Sequence, residues 1–265
     1  MTESPEPPNF VFWTLRIGVA MEFIGHGMLG FGHPSSWAAY FGVVGIGPER
    51  AYALMPWVGI GDIVTGIAVL FYPCRAMVWY MALWGLWTAM LRPMAGESVW
   101  EAVERAGNYG VPFALFLLTT GGGFKAWLGS RLSEPEEGLQ RIEFQWVLQL
   151  TTILLLVGHG MLGLHVHKAL FGFQYAAIGF QSRFVESIVG VLECLLAGVV
   201  LFRPTTGLLV GVLLWKLASE ALNPIAGAPI WVFIEHGGSY AAPLALALLT
   251  RFRDERIVRE GDAVA

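Results

Sequence analysis

The chain has 265 residues and a formal net charge of -4, with 55% of residues hydrophobic and only 14% charged. Its mean hydropathy of +0.60 is well above that of an ordinary globular domain. This composition argues against a water-soluble enzyme and against a nucleic-acid partner. It predicts an all-α integral membrane protein whose main partner is the lipid bilayer.

Eight apolar runs are long enough, at roughly 20 residues each, to cross about 30 Å of hydrocarbon. In chain order they are 10–31, 51–72, 75–92, 109–128, 143–164, 184–203, 205–222 and 238–252. The N-terminal residues 1–9 hold three prolines and two glutamates but no Lys or Arg. Because a cleavable signal peptide needs a basic first segment, we expect the first run to remain a membrane helix.

The hexapeptide Gly-His-Gly-Met-Leu-Gly occurs twice, at 25–30 and 158–163, each time near the end of a long apolar run. Further on, 92–96 and 223–227 match as Arg-Pro-Met-Ala-Gly and Asn-Pro-Ile-Ala-Gly. The chain is therefore predicted to consist of two tandem four-helix repeats. The predicted segments are a tail at 1–9, repeats at 10–129 and 142–252, a linker at 130–141 and a tail at 253–265.

The two repeats are predicted to be parallel, because an even number of spans brings both into the membrane from the same side. The termini and even-numbered loops hold nine Lys or Arg residues, against five in the odd-numbered loops. This bias predicts that both termini are cytoplasmic. We expect an integral protein of a prokaryotic cytoplasmic membrane, with all six histidines towards its outer side.

Within each repeat, the third helix is expected to end at a proline, Pro93 or Pro224, since proline disfavours helical geometry in the preceding residue. Short helices at the membrane interface are predicted over 99–104 and 230–235. Asn108 and Ser239 have side chains suited to N-capping the fourth helix of each repeat.

Charged side chains within the apolar runs are expected to face inward, since each costs roughly 2.5–3.5 kcal/mol near the bilayer centre. They are Arg16, Glu22, Asp62, Glu193, Lys216 and Glu220. Residues four apart share a helix face, so Glu22 is predicted to pair with His26, and Lys216 with Glu220. Asp62 and Glu193 correspond between the repeats, whereas Glu22, Lys216 and Glu220 have no charged counterparts. The two cysteines, Cys74 and Cys194, are differently placed and are expected to be reduced thiols.

This broken symmetry predicts one asymmetric site in a polar cavity that opens outward. The candidate catalytic residues are His26, Asp62, His159 and Glu193. The candidate ligand-binding residues are Glu22, Lys216, Glu220 and His236. The carboxylates would act as proton acceptors if burial raises their pKa, or as structural hydrogen-bond acceptors.

His26 and His159 admit three interpretations: structural hydrogen bonding, a wall of a ligand pocket, or ligation of a metal or haem. Neither repeat has two histidines spaced on one helix as in a membrane b-type cytochrome. No metal ligands are therefore predicted, and a quinone is favoured over haem as the cofactor.

Several residues in these runs resemble the DoxX/DoxD family of small four-helix membrane proteins. The resemblance rests on a basic residue opening the first helix, a His-Gly closing it, and a carboxylate followed by small residues in the second. It implies that Arg16, His26, Asp62, His159 and Glu193 occupy motif positions. The chain departs from the pattern at Gln149, which replaces the arginine, and at Gly30 and Gly163, where a lysine often follows the His-Gly.

The resemblance implies a subunit of a membrane redox complex, since one such complex passes electrons from thiosulfate to quinone. We therefore predict an oxidoreductase component that binds a quinone or a small polar substrate and works with a redox partner subunit. Two alternatives remain open: a transporter for a small solute or ion, and a non-catalytic subunit of a membrane complex.

Overall fold

The structure is a computed structural model, and it describes residues 7–118, 142–166, 169–180 and 183–264. These residues are organised in α-helices and contain no β-strand. The predicted linker at 130–141 lies outside the described residues, as do 1–6 of the predicted N-terminal tail.

The described part of the first half contains α1 (Pro7–Gly30), α2 (Ser35–Val43), α3 (Pro48–Phe71), α4 (Arg75–Met94), α5 (Val99–Glu104) and α6 (Ala106–Leu117). The second half contains α7 (Ile142–Met161), α8 (Ala169–Ala177), α9 (Arg183–Phe202), α10 (Thr206–Ile225), α11 (Ile230–Ile234) and α12 (Gly237–Val264). A π-helical turn, Leu162–Val166, extends α7.

Five stretches of helix are long and apolar enough to cross a membrane: Pro48–Phe71, Ile142–Val166, Arg183–Phe202, Thr206–Ile225 and Ile230–Glu255. A helix also occupies the described part of each of the other three predicted runs, of which the fourth is described only to residue 118. Charged residues lower the hydropathy of α1, and arginine, tryptophan and tyrosine residues lower that of α4. The composition and helix lengths together indicate an all-α membrane protein.

The apolar core lies where α1, α6, α7 and α12 meet, and it includes Leu15, Leu115, Leu148 and Leu246. On either side, α1 packs along α3 and α7 packs along α9, while α4 packs against α6 and α10 against α12. The flanking helices expose large apolar side chains, such as Phe202 at 81%. Such an apolar exterior suits contact with lipid.

Glycines in both copies of the hexapeptide allow helices from the two halves to touch. A Cβ atom at Gly25 would lie 2.3 Å from the backbone nitrogen of Glu235, and one at Gly158 would lie 2.2 Å from that of Glu104. Because no side chain fits in either gap, these positions require glycine. Each motif thus packs against the short helix region of the opposite half.

One local prediction is off by one residue and another is wrong. Helices α4 and α10 continue through Pro93 and Pro224 to the next residue, and the Ala95 N–H closes α4 by bonding to the Leu91 carbonyl. A proline this close to the helix end removes one N–H without interrupting the last turn. Asn108 lies inside α6, not at its N-cap, because its own N–H bonds to the Arg105 carbonyl and the helix has already begun. Ser239 likewise lies inside α12.

Candidate functional site

The first histidine of the repeated motif is paired with a buried aspartate. The Nδ1–H of His26, on α1, donates to Oδ2 of Asp62, on α3, at 2.8 Å. The Asp62 side chain is 3% exposed and that of His26 is 20% exposed. The His26 ring stacks on Trp37 with ring centroids 4.6 Å apart. Hydrogen bonding at Nδ1 leaves Nε2 of His26 as the nitrogen for any further partner.

The second histidine makes the corresponding contact in the other half. Nδ1 of His159 lies 2.5 Å from Oε2 of Glu193, and both side chains are buried. The second oxygen of the same carboxylate, Oε1, accepts from the Trp215 indole N–H at 2.7 Å. Both oxygens of Glu193 therefore have partners within the protein.

A cavity of about 160 Å³ opens beside His26. An apolar protein cavity of about 150 Å³ is known to admit a benzene ring, so this one has room for a single six-membered ring. Its aromatic walls are Trp37, Tyr40, Phe41, Trp84 and Trp87, and its polar wall residues are His26, Thr88, Arg92, Arg105 and Asn108. Mostly apolar walls with a few polar groups are typical of small-molecule sites.

A smaller pocket of about 10 Å³ continues the cavity inward, sharing His26 and Trp84 with it and adding Glu22 and Asp62. Glu22 is only 2% exposed. Its Oε2 atom and the indole nitrogen of Trp84 have no hydrogen-bond partner among the described residues. The predicted pair of Glu22 with His26 is not formed, because α3 brings Asp62 to the His26 ring instead.

A polar cluster closes one side of the cavity. The Tyr40 hydroxyl donates to Oε1 of Glu97, and Nη1 of Arg92 donates to the Tyr40 oxygen at 3.1 Å and to Glu97 Oε2 at 3.2 Å. Burial raises the pKa of Tyr40 to about 12. Tyr40 is therefore a neutral hydrogen-bond donor at ordinary pH.

The predicted Lys216–Glu220 pair is formed, with Nζ 2.9 Å from Oε1. Oε2 of Glu220 lies 3.5 Å from Nδ1 of His236, and Nε2 of His236 lies 4.0 Å from Oε1 of Glu104. Ligand atoms of Glu104, Glu220 and His236 all lie within 4.8 Å of one another, close enough to hold a metal ion. The Lys216 ammonium beside Glu220 opposes a divalent cation there.

The structure thus separates the predicted site residues into two groups. Glu22, His26 and Asp62 line the cavity and its inner pocket. The remaining five predicted residues line neither of these two cavities: His159, Glu193, Lys216, Glu220 and His236. They form a buried polar region of the second half that ends at its contact with Glu104.

Sequence reasoning did not single out Trp84, Arg92 or Arg105 as site residues. A signal for the two arginines was present, since the repeat register matches Arg92 with Asn223 and Arg105 with His236. Both arginines line the cavity. No such difference marks Trp84, because its counterpart is also a tryptophan.

Arg16, which the resemblance places at a motif position, stabilises a helix end instead of lining the cavity. Nε of Arg16 donates to the Val69 carbonyl at 3.1 Å, at the C-terminal end of α3. Gln149 takes the same role in the second half, donating to the carbonyls of Val200 at 2.9 Å and Leu201 at 3.0 Å. Free carbonyls at a helix C-terminus need such donors.

Comparisons with known proteins found no match among family models, curated proteins or solved structures. The resemblance to the DoxX/DoxD family therefore stays a prediction that rests on its motif residues.

Proposed function

We propose that this chain is a membrane oxidoreductase component of eight spanning helices, built from two parallel four-helix repeats, with an outward-facing quinone site in the first repeat. The five candidate spanning helices and the helices in the other three predicted runs support the number of spans. The DoxX-like motif residues support the assignment to membrane redox chemistry.

Matched contacts support the tandem arrangement. His26 pairs with Asp62 as His159 pairs with Glu193, at positions related by the repeat. The contacts between the halves are also crossed, because Gly25 meets Glu235 while Gly158 meets Glu104. Reciprocal contacts of this kind are expected where two similar units pack about a twofold axis.

One observation carries the quinone proposal: an aromatic-walled cavity of one-ring size ends at a histidine held by a buried carboxylate. The walls suit stacking of a planar ring between Trp37 and its neighbours. Val44 and Trp87, which also line the cavity, are 51% and 40% exposed on the outer surface of the molecule. A lipophilic ring could therefore enter from the surrounding bilayer.

The paired side chains suit proton exchange with such a ring. Nε2 of the His26 imidazolium would donate to a quinone carbonyl, and Nε2 of the neutral ring would accept the proton of a quinol hydroxyl. The Asp62 carboxylate would stabilise the imidazolium form. The electrons would pass to or from a redox partner subunit. In this proposal the chain supplies the binding site and the proton path.

Binding of a short-chain benzoquinone to the purified protein in nanodiscs tests the proposal. We expect His26→Ala and Asp62→Asn to weaken binding by at least about tenfold, the effect of one lost hydrogen bond to a charged group. Quinone quenching of tryptophan fluorescence should fall in Trp37→Phe. It should be unchanged in the control Trp57→Phe, whose side chain is 70% exposed and outside the cavity.

Unchanged quinone affinity in a folded His26→Ala variant would contradict the proposal. Uptake of a small solute by proteoliposomes without an electron donor would instead favour the transporter alternative.

A further inference from the structure

Two polar atoms at the inner end of the cavity need partners that the described residues do not supply. An ionised Glu22 can only accept a hydrogen bond at Oε2, and the indole nitrogen of Trp84 can only donate one. Neither atom has a partner among the described residues. Both side chains line the inner pocket. A buried polar atom without a partner is costly, so a group that satisfies both atoms would bind with a strong advantage.

The second half shows the same framework with these groups satisfied or absent. Trp215, the counterpart of Trp84, donates to Glu193 at 2.7 Å. Leu155 stands at the position of Glu22 and is 2% exposed. In the first half the carboxylate is Asp62, one methylene shorter, and it bonds to His26. The unsatisfied acceptor and donor are therefore specific features of the first half and not a property of the framework.

We infer that Glu22 acts as an ionised acceptor in the inner pocket and that this pocket binds a ring hydroxyl, so that the site prefers the quinol form of its ligand to the quinone form. This inference rests on the proposed function. A hydroxyl can donate to Glu22 and accept from Trp84 at the same time. A quinone carbonyl has no hydrogen to donate, and it would leave Glu22 without a partner.

Size and charge narrow the ligand group further. The pocket volume of about 10 Å³ is close to that of one water-sized group. A carboxylate or sulfonate needs more room than this. Glu22 and Asp62 would also repel an anion, so the group is a neutral hydroxyl on the ring that occupies the larger cavity.

Competitive binding of a matched benzoquinone and benzoquinol, measured anaerobically in nanodiscs, tests the inference. The wild-type protein should bind the quinol at least about tenfold more tightly, as expected for one extra hydrogen bond to a charged group. Glu22→Gln should reverse the preference, because its amide N–H donates to a carbonyl. The control Glu49→Gln, in the first turn of α3 and outside both cavities, should keep the wild-type preference.

A second variant reproduces the arrangement of the other half. Asp62→Glu should let the carboxylate reach Trp84, as Glu193 reaches Trp215. Because the indole N–H can donate to either form of the ligand, its loss should weaken the binding of both forms. The quinol preference, which depends on Glu22, should persist in a folded protein.

Equal wild-type affinity for the two forms, or a quinol preference that survives Glu22→Gln, would overturn this inference while leaving the quinone site intact. Failure of the wild-type protein to bind either form would overturn the proposed function as well.

Discussion

The two buried carboxylates that face the motif histidines, Asp62 and Glu193, differ in side-chain length by one methylene group. Glu193 reaches both His159 and Trp215, whereas Asp62 bonds to His26 and the Trp84 indole nitrogen has no partner among the described residues. Because a buried donor without a partner is unfavourable, this small difference gives the first half a chemical reason to bind a ligand. In the second half, the corresponding indole N–H of Trp215 already donates to Glu193.

Tyr40 allows a test of the cavity wall by pH. Its pKa is raised by burial to about 12, whereas a tyrosine in the unfolded chain has a pKa of about 10. The folded state therefore holds this proton more strongly. The stabilisation is fully present below about pH 10 and is lost as the pH rises through about 12.

We therefore expect Tyr40→Phe to lower the melting temperature at neutral pH, because the contacts to Glu97 and Arg92 are lost. Its difference from the wild-type protein should shrink between about pH 10 and about pH 12. Thermal unfolding followed by circular dichroism in detergent measures this difference. Tyr52→Phe is the control, because the Tyr52 side chain is 38% exposed. A melting-temperature difference that does not change with pH would contradict the raised pKa of Tyr40.

At the scale of helices, glycine decides how closely the two halves pack. The gaps at Gly25 and Gly158 face backbone atoms of the opposite half, which cannot move as a flexible side chain could. Gly61 and Gly198, within α3 and α9, have open space where a Cβ atom would lie. Four helical glycines thus divide into two that are required and two that are free to change.

Gly25→Ala and Gly158→Ala should each destabilise the protein by about 1–3 kcal/mol, the usual cost of overpacking. Gly61→Ala and Gly198→Ala should be neutral or stabilising by up to about 1 kcal/mol, because alanine favours the helix. Unfolding in mixed micelles of increasing denaturant fraction gives these free energies. Equal stability of all four variants would show that the close contacts between the halves are not formed.

At the scale of the whole molecule, charged groups join the two halves where the short helices meet. Nη2 of Arg105 lies 3.9 Å from Oε1 of Glu235, and His236 lies 4.0 Å from Glu104. Glu104 and Glu235 are at matching positions of the two halves. Each of them contacts the residue that follows the other, namely His236 and Arg105. The two halves therefore share one buried polar region and are expected to fold as one unit.

The proposed orientation can be tested by labelling single cysteines in intact cells. In a background lacking Cys74 and Cys194, a membrane-impermeant maleimide should label Arg50→Cys from outside. It should leave Arg203→Cys unlabelled until the cells are opened, because an odd and an even loop lie on opposite sides. Both original side chains are exposed at helix ends. Labelling of Arg203→Cys alone in intact cells would show that the topology is the opposite of the proposed one.

Local patterns in the sequence predicted much of this molecule. The apolar runs predicted helices, because continuous hydrophobicity over a span length is visible without any tertiary contact. The Lys216–Glu220 pair was predicted and is formed, since both residues lie on one helix at a fixed spacing. The same spacing predicted a pair of Glu22 with His26 that is not formed. Asp62, on a helix that is distant in sequence and adjacent in space, bonds to His26 instead.

The sequence by itself determined the all-helical class, the repeated motifs and the set of charged residues within the apolar runs. Only the tertiary structure decided their partners, because His26 bonds to a residue 36 positions away and this choice depends on how α1 packs on α3. Packing also decided that Glu22 and Trp84 line one inner pocket, each with a buried polar atom that lacks a partner among the described residues. Hydrogen-bond saturation is a property of three-dimensional surroundings, and residue spacing alone does not specify it.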